Sequence, residues 1–294
     1  RSEKMKKKIL LIGMVLFGLS LFTGCFKRDN LEDVQITTTS YPLQYITERL
    51  YGEYSTIESI YPLGVNIQNY ELTSKQIKDF SNSSIFIFNG LSKEKDYVIP
   101  MFDYNKNIKI IDTSMSMEYS NEIEELWLDP SNFLMLAQNI KNGLQEYIDD
   151  VYLKNQIEEK YEELKVDVSN IDASIKLAVE SGSNKTIVVA NDLFKFLEKY
   201  GYTVISLEEN SNLTDKTVAD VKQMIENEQI SYIFLKEGEE ENDTIKSLVE
   251  ETGVETLTLK TLSNMTEEES ENNQDYITLM NQNIETLKQE LYDE

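Results

Sequence analysis

Residues 153–180 read LKNQIEEKYEELKVDVSNIDASIKLAVE, 28 positions without a glycine or a proline. Apolar side chains recur at Ile157, Tyr161, Leu164, Val168, Ile171, Ile175 and Leu177 or Ala178. Steps of three and four put them on one stripe of an α-helix. At 1.5 Å per residue such a helix spans on the order of 40 Å, enough to run the height of two stacked domains. Two shorter helices broken near Ser169-Asn170 are the alternative. The chain on either side alternates short β-branched runs with amphipathic segments. Before the long helix, strands are expected at 34–38, 56–61, 84–89 and 109–111, with helices such as 43–50 and 74–80 between them. After it, strands are expected at 186–190, 203–207, 232–235 and 255–259, with helices at 192–200, 215–227, 243–252 and 274–291. Thr252-Gly253 is a helix stop. The pattern predicts an α/β protein of two lobes, each a mostly parallel four-stranded sheet flanked by helices, joined by one long spine helix. The boundaries expected are an N-terminal lobe at 34–150, the linking helix at 151–182 and a C-terminal lobe at 183–294.

Composition narrows the chemistry. The 294 residues hold 28 Lys+Arg against 53 Asp+Glu, a formal charge of −25. That excess repels phosphate backbones and excludes nucleic acid as a partner. There is one cysteine, Cys25, and no histidine. A disulfide within the chain, a Cys-based zinc site, a Ser-His-Asp triad and an H-E-x-x-H site are all excluded. No enzymatic constellation and no phosphate-binding glycine loop is present, so the chain reads as a binding protein rather than an enzyme.

The N-terminus is an address. Lys6-Lys7-Lys8 precede an apolar run from Ile9 to Phe22, which is short of the about 20 residues a bilayer span needs. Thr23-Gly24-Cys25 then resembles a bacterial lipobox, with Phe22 where Leu is more usual. The resemblance implies a signal peptide over 1–24, cleavage before Cys25 and acylation of its thiol. Residues 25–33 follow as a polar tether from a lipid anchor on the extracytoplasmic face of the cell membrane.

In open parallel sheets, ligands bind beyond the carboxyl ends of strands. There lie Tyr61-Pro62-Leu63-Gly64-Val65-Asn66-Ile67-Gln68-Asn69-Tyr70-Glu71, Thr38-Thr39-Ser40-Tyr41-Pro42, Asn89-Gly90-Leu91, Trp127-Leu128-Asp129-Pro130, Asn191-Asp192-Leu193-Phe194 and Leu259-Lys260-Thr261-Leu262. Taken in chain order they resemble the zinc/manganese-type substrate-binding lipoproteins of metal ABC transporters, over essentially the whole mature chain. The resemblance implies two Rossmann-like lobes on a helical backbone, a permease with its ATPase as membrane partner, a monomer, and zinc or manganese as cargo. No other cofactor is implied.

The family's four metal-ligand positions fall at Gln68, Glu125, Asn191 and Lys260, and none carries the family's ligand type. Amide oxygens are weak zinc donors, and a protonated Lys260 repels a dication. The expectation is a degenerate site in which the Lys260 ammonium takes the metal position, paired with Glu125 and bonded by Gln68 and Asn191. The alternative is a metal site rebuilt from Glu71, Asp129 or Glu237. Trp127 and Tyr41 line the crevice or belong to the core, and Glu237-Gly238-Glu239-Glu240-Glu241-Asn242-Asp243 reads as a solvated loop. In function, the resemblance implies a solute-binding subunit of an importer. A binding or adhesion lipoprotein that keeps the scaffold for a non-metal ligand or a protein partner is the alternative.

Overall fold

A computed structural model describes residues 31–292. The signal peptide expected over 1–24 and the lipidation expected at Cys25 lie outside the described residues. Among the described residues no helix is long and apolar enough to cross a membrane.

The spine forms as one helix, Val151–Ser181. Asp150 caps it by accepting from the Leu153 N–H at 3.0 Å, and its 31 residues reach about 46 Å. Leu153, Ile157, Tyr161, Leu164, Val168, Ile171, Ile175 and Ala178 are all buried, whereas Leu177 is exposed. The helix runs unbroken through Ser169, whose hydroxyl donates back to the Lys165 carbonyl at 2.7 Å. A serine satisfied within its own helix does not interrupt it.

Each lobe is a four-stranded parallel sheet. Strands β1 (Val34–Thr38), β2 (Ser55–Ser59), β3 (Ile85–Phe88) and β4 (Lys109–Asp112) stand in the order β2-β1-β3-β4. Strands β5 (Thr186–Val189), β6 (Thr203–Ser206), β7 (Tyr232–Lys236) and β8 (Glu255–Leu259) repeat it as β6-β5-β7-β8. Ile36 is in register with Ile57 on one side and Ile85 on the other, and Val188 pairs with Ile233. The central strand β3, Ile85-Phe86-Ile87-Phe88, is buried at every position, as a parallel strand covered on both faces must be. The edge strand β2, Ser55-Thr56-Ile57-Glu58-Ser59, is not.

One apolar core runs through the inner faces of both sheets and along the spine, from Leu31 and Ile36 through Leu164 to Phe234 and Leu291. The outer face of each sheet has its own cluster, around Phe86 and Phe88 in the first lobe and Val188 and Ile233 in the second. The lobes therefore share their inner core instead of meeting at a hydrated joint.

Three local expectations need correction. Residues 192–200 coil as a 3-10 segment, Asp192–Tyr200, rather than an α-helix. Strand β2 ends at Ser59, so Ile60 and Tyr61 already belong to the loop that follows. Leu31, expected at the end of a polar tether, is only 2% exposed, and its carbonyl accepts from the Tyr51 hydroxyl at 2.8 Å. The stop at Gly253 forms as read. Its φ is 74° and its N–H donates to the Val249 carbonyl at 2.9 Å. An added Cβ there meets nothing within 4 Å, so the cost of Gly253→Ala is purely conformational. A loss of about 1 kcal/mol is expected in urea unfolding.

Candidate functional site

In both sheets the chain turns one way from the first strand and then crosses to its other side, so the topological switch points lie between β1 and β3 and between β5 and β7. Loops diverge there and leave a crevice. The residues at those four strand ends are Ser40, Asn89, Asn191 and Lys236. The crevice holds two cavities of about 270 Å³ and 570 Å³, with Ile67, Gln68, Lys236 and Glu239 in the walls of both.

Lys236, the last residue of β7, is 8% exposed. Its ammonium lies 3.0 Å from Glu122, 3.3 Å from Glu239 and 3.5 Å from Glu124. Two of these carboxylates come from the first lobe, just ahead of the one-turn helix Glu125–Leu128, and one from the second. Burial works against the charge on Lys236, but Glu124, Glu122 and Glu239 more than offset it and raise its pKa. Burial raises the pKa of Glu124, and Lys236 offsets only part of that. One Glu124 oxygen, Oε2, has no hydrogen-bond partner.

The four positions expected to converge do not do so around Lys260. Lys260 lies outside both cavities and pairs with Glu269, with Glu237 at 3.8 Å. Burial opposes ionisation of Glu269, yet the Lys260 contact wins and its pKa is lowered. Glu125 is turned back on its own loop. It accepts from the Ser120 N–H at 2.9 Å and from the Asn121 N–H and side-chain amide, both at 2.8 Å. Asn191 does reach the crevice cluster. Its Oδ1 is taken by the Leu193 N–H at 2.8 Å, and its amide nitrogen faces Glu239 at 3.3 and 3.4 Å. Gln68 lines both cavities from the first-lobe loop. Lys93 holds that loop by donating to the Gln68 carbonyl at 2.9 Å and the Tyr70 carbonyl at 2.7 Å.

The rebuilt-site alternative also fails to assemble. Asp129 caps Ser131 at 2.9 Å and pairs with Lys199. Glu237 accepts from the Thr261 N–H at 2.9 Å. Glu71 is exposed and lines neither cavity. Among the described residues, no three His, Cys, Asp or Glu side chains are grouped as a metal-ligand set. Trp127 and Tyr41 are core residues in the main. Trp127 also edges the larger cavity, and its indole N–H donates to the Thr261 carbonyl across the lobes at 2.8 Å. Hydrogen bonds join the two loops that line the smaller cavity. Gly64 N–H donates to the Met265 carbonyl at 2.8 Å, and the Asn264 amide donates to the carbonyls of Pro62 at 2.7 Å and Val65 at 3.0 Å.

Sequence reading missed Lys236, Glu122, Glu124 and Glu239. A signal was present. A lysine closing the apolar run Tyr232-Ile233-Phe234-Leu235 sits at a strand's carboxyl end, where parallel sheets place ligands.

Two lobes of one topology, a spine helix and a crevice at the switch points define a cleft protein of the solute-binding kind. The chain belongs to the ZnuA family, zinc-uptake complex component A, periplasmic, whose model matches residues 36–290. It is 23% identical over 309 residues to the zinc-binding lipoprotein AdcA of Streptococcus pneumoniae, covering 96% of this chain and 61% of AdcA. To the metal ABC transporter substrate-binding lipoprotein SloC of Streptococcus mutans it is 22% identical over 308 residues, covering 96% of this chain and 98% of SloC. The crystal structure of the metal-dependent lipoprotein YcdH from Bacillus subtilis superposes with a TM-score of 0.72 at 20% identity, over 89% of this chain and all of that one.

Proposed function

We propose that this chain is the extracytoplasmic, lipid-anchored solute-binding subunit of a metal-type ABC importer. In this reading it is a monomer that delivers to a membrane permease driven by its ATPase, and its cleft does not hold a transition metal through four protein ligands. Family membership and the printed roles of SloC and AdcA support the transport half. The second half is carried by one observation. Where the two sheets' switch points meet, a buried lysine ammonium sits among Glu122, Glu124 and Glu239. A dication placed there meets a fixed positive charge, and the oxygen of Asn191 is already committed to the backbone.

Thermal unfolding with added zinc or manganese tests this. A tight site at a thousandfold excess of metal over Kd adds about 4 kcal/mol, which for a chain of this size is a rise of about 10 °C. The expected rise is under about 2 °C for either metal. A rise of the larger size would remove the second half of the reading.

A further inference from the structure

We propose that Lys236 is a built-in bridging cation that holds the two lobes together across the cleft without any solute; this rests on reading the cleft as the solute site and concerns how that site is regulated. Lys236 ends β7 of the second lobe, and its ammonium reaches the first lobe at Glu122, 3.0 Å away, and Glu124, 3.5 Å away. Glu239, from its own lobe, lies at 3.3 Å. Lys236 and Glu124 are both buried. Salt screens a buried pair far less than an exposed one, and losing one partner leaves the other as an uncompensated buried charge.

Around this bridge the lobes meet through neutral groups, many of them on residues 261–265 of the second lobe. The Thr261 carbonyl accepts from the Trp127 indole at 2.8 Å, the Ser263 carbonyl from the Tyr41 N–H at 3.2 Å and the Met265 carbonyl from the Gly64 N–H at 2.8 Å. The Asn264 amide donates to the carbonyls of Pro62 and Val65. Each such bond is worth little on balance, because parted groups bond to water instead. Charge-assisted contacts are stronger. The lysine also sets the sign of the force between the lobes. With it, Glu122 and Glu124 face a cation; without it, they face the like charge of Glu239. The unbroken spine Val151–Ser181 and the shared inner core stiffen the closed arrangement further. A solute shifts a conformational equilibrium only by the difference in its affinity for the two states. With the lobes already held together, arrival of a solute changes their spacing little, and the chain presents one shape to its partner whether empty or loaded.

Double electron–electron resonance between nitroxides on the two lobes tests the bridge. Asp96→Cys in the first lobe and Glu240→Cys in the second, both exposed, carry the labels. Cys25→Ser removes the only other thiol of the full chain. In buffer with a chelator and no added solute, one narrow distance distribution is expected. Adding Lys236→Met is expected to move it to longer distances and broaden it. Glu122→Gln keeps the ammonium but removes one first-lobe partner; it is expected to broaden the distribution in part and serves if Lys236→Met does not fold. A broad distribution with Lys236 in place, or one that stays narrow and unmoved in both variants, overturns the proposal. Either result leaves the importer reading standing, because metal binding is read separately by thermal unfolding.

Discussion

Lys236→Met is expected to lower the unfolding free energy by about 3–5 kcal/mol, the scale on which removing one partner of a buried ion pair is felt. The variant leaves Glu122, Glu124 and Glu239 facing one another without the ammonium that lies 3.0 to 3.5 Å from them. Glu124 is itself buried, with one oxygen already unpartnered. Like charges in such a pocket raise one another's pKa, so the loss should be largest at alkaline pH and smaller near pH 5, where a carboxyl takes up a proton. Urea unfolding at pH 5 and at pH 9 measures the loss and its pH dependence. A variant as stable as the wild type would mean that the lysine does not neutralise the cluster.

Tyr276→Ala is expected to cost about 3–5 kcal/mol, the range for deleting a large buried aromatic ring. Tyr276 is wholly buried at the start of the last helix, Tyr276–Leu291. Its ring stacks on Phe133 of the first lobe at 3.9 Å between centroids, and on Tyr45 at 5.6 Å. Its hydroxyl donates to the Trp127 carbonyl at 2.6 Å. The residue ties the last helix to the first lobe, whereas Trp127 ties the first lobe to Thr261. Tyr276→Phe keeps the stack and loses only that hydrogen bond, for an expected cost of about 1 kcal/mol. Denaturant melts of the two variants separate packing from bonding. Equal losses in both would shift the weight from the ring to the hydroxyl.

These two residues also show what the sequence could and could not disclose. The spine was legible because helical spacing holds over the whole of residues 153–180, and the parallel sheets were legible because runs such as Ile85-Phe86-Ile87-Phe88 are apolar throughout. Periodicity alone does not separate a 3-10 coil from an α-helix, which is why Asp192–Tyr200 was misread. Motif order placed Gln68 and Asn191 at the crevice. It could not say that Glu125 folds back to cap Ser120 and Asn121 while Glu122 and Glu124 turn inward, since neighbouring glutamates differ only in tertiary direction. It likewise picked Lys260 over Lys236. Both lie at the carboxyl end of a strand, but β8 is an edge strand and β7 stands at the switch point. Lys260 meets Glu269, whose helix is announced by the capping box Thr266-Glu267-Glu268-Glu269, and its charge is used up there. Glu239 was read as part of a solvated loop because its acidic neighbours continue to Glu241.

The most direct measurement is anomalous diffraction at the zinc edge from crystals of the protein grown with zinc. The account requires no zinc peak in the crevice and the Lys236 ammonium within hydrogen-bonding reach of Glu122 and Glu239. A zinc peak bonded by Gln68, Glu124 or Asn191, with Lys236 swung away, would contradict it.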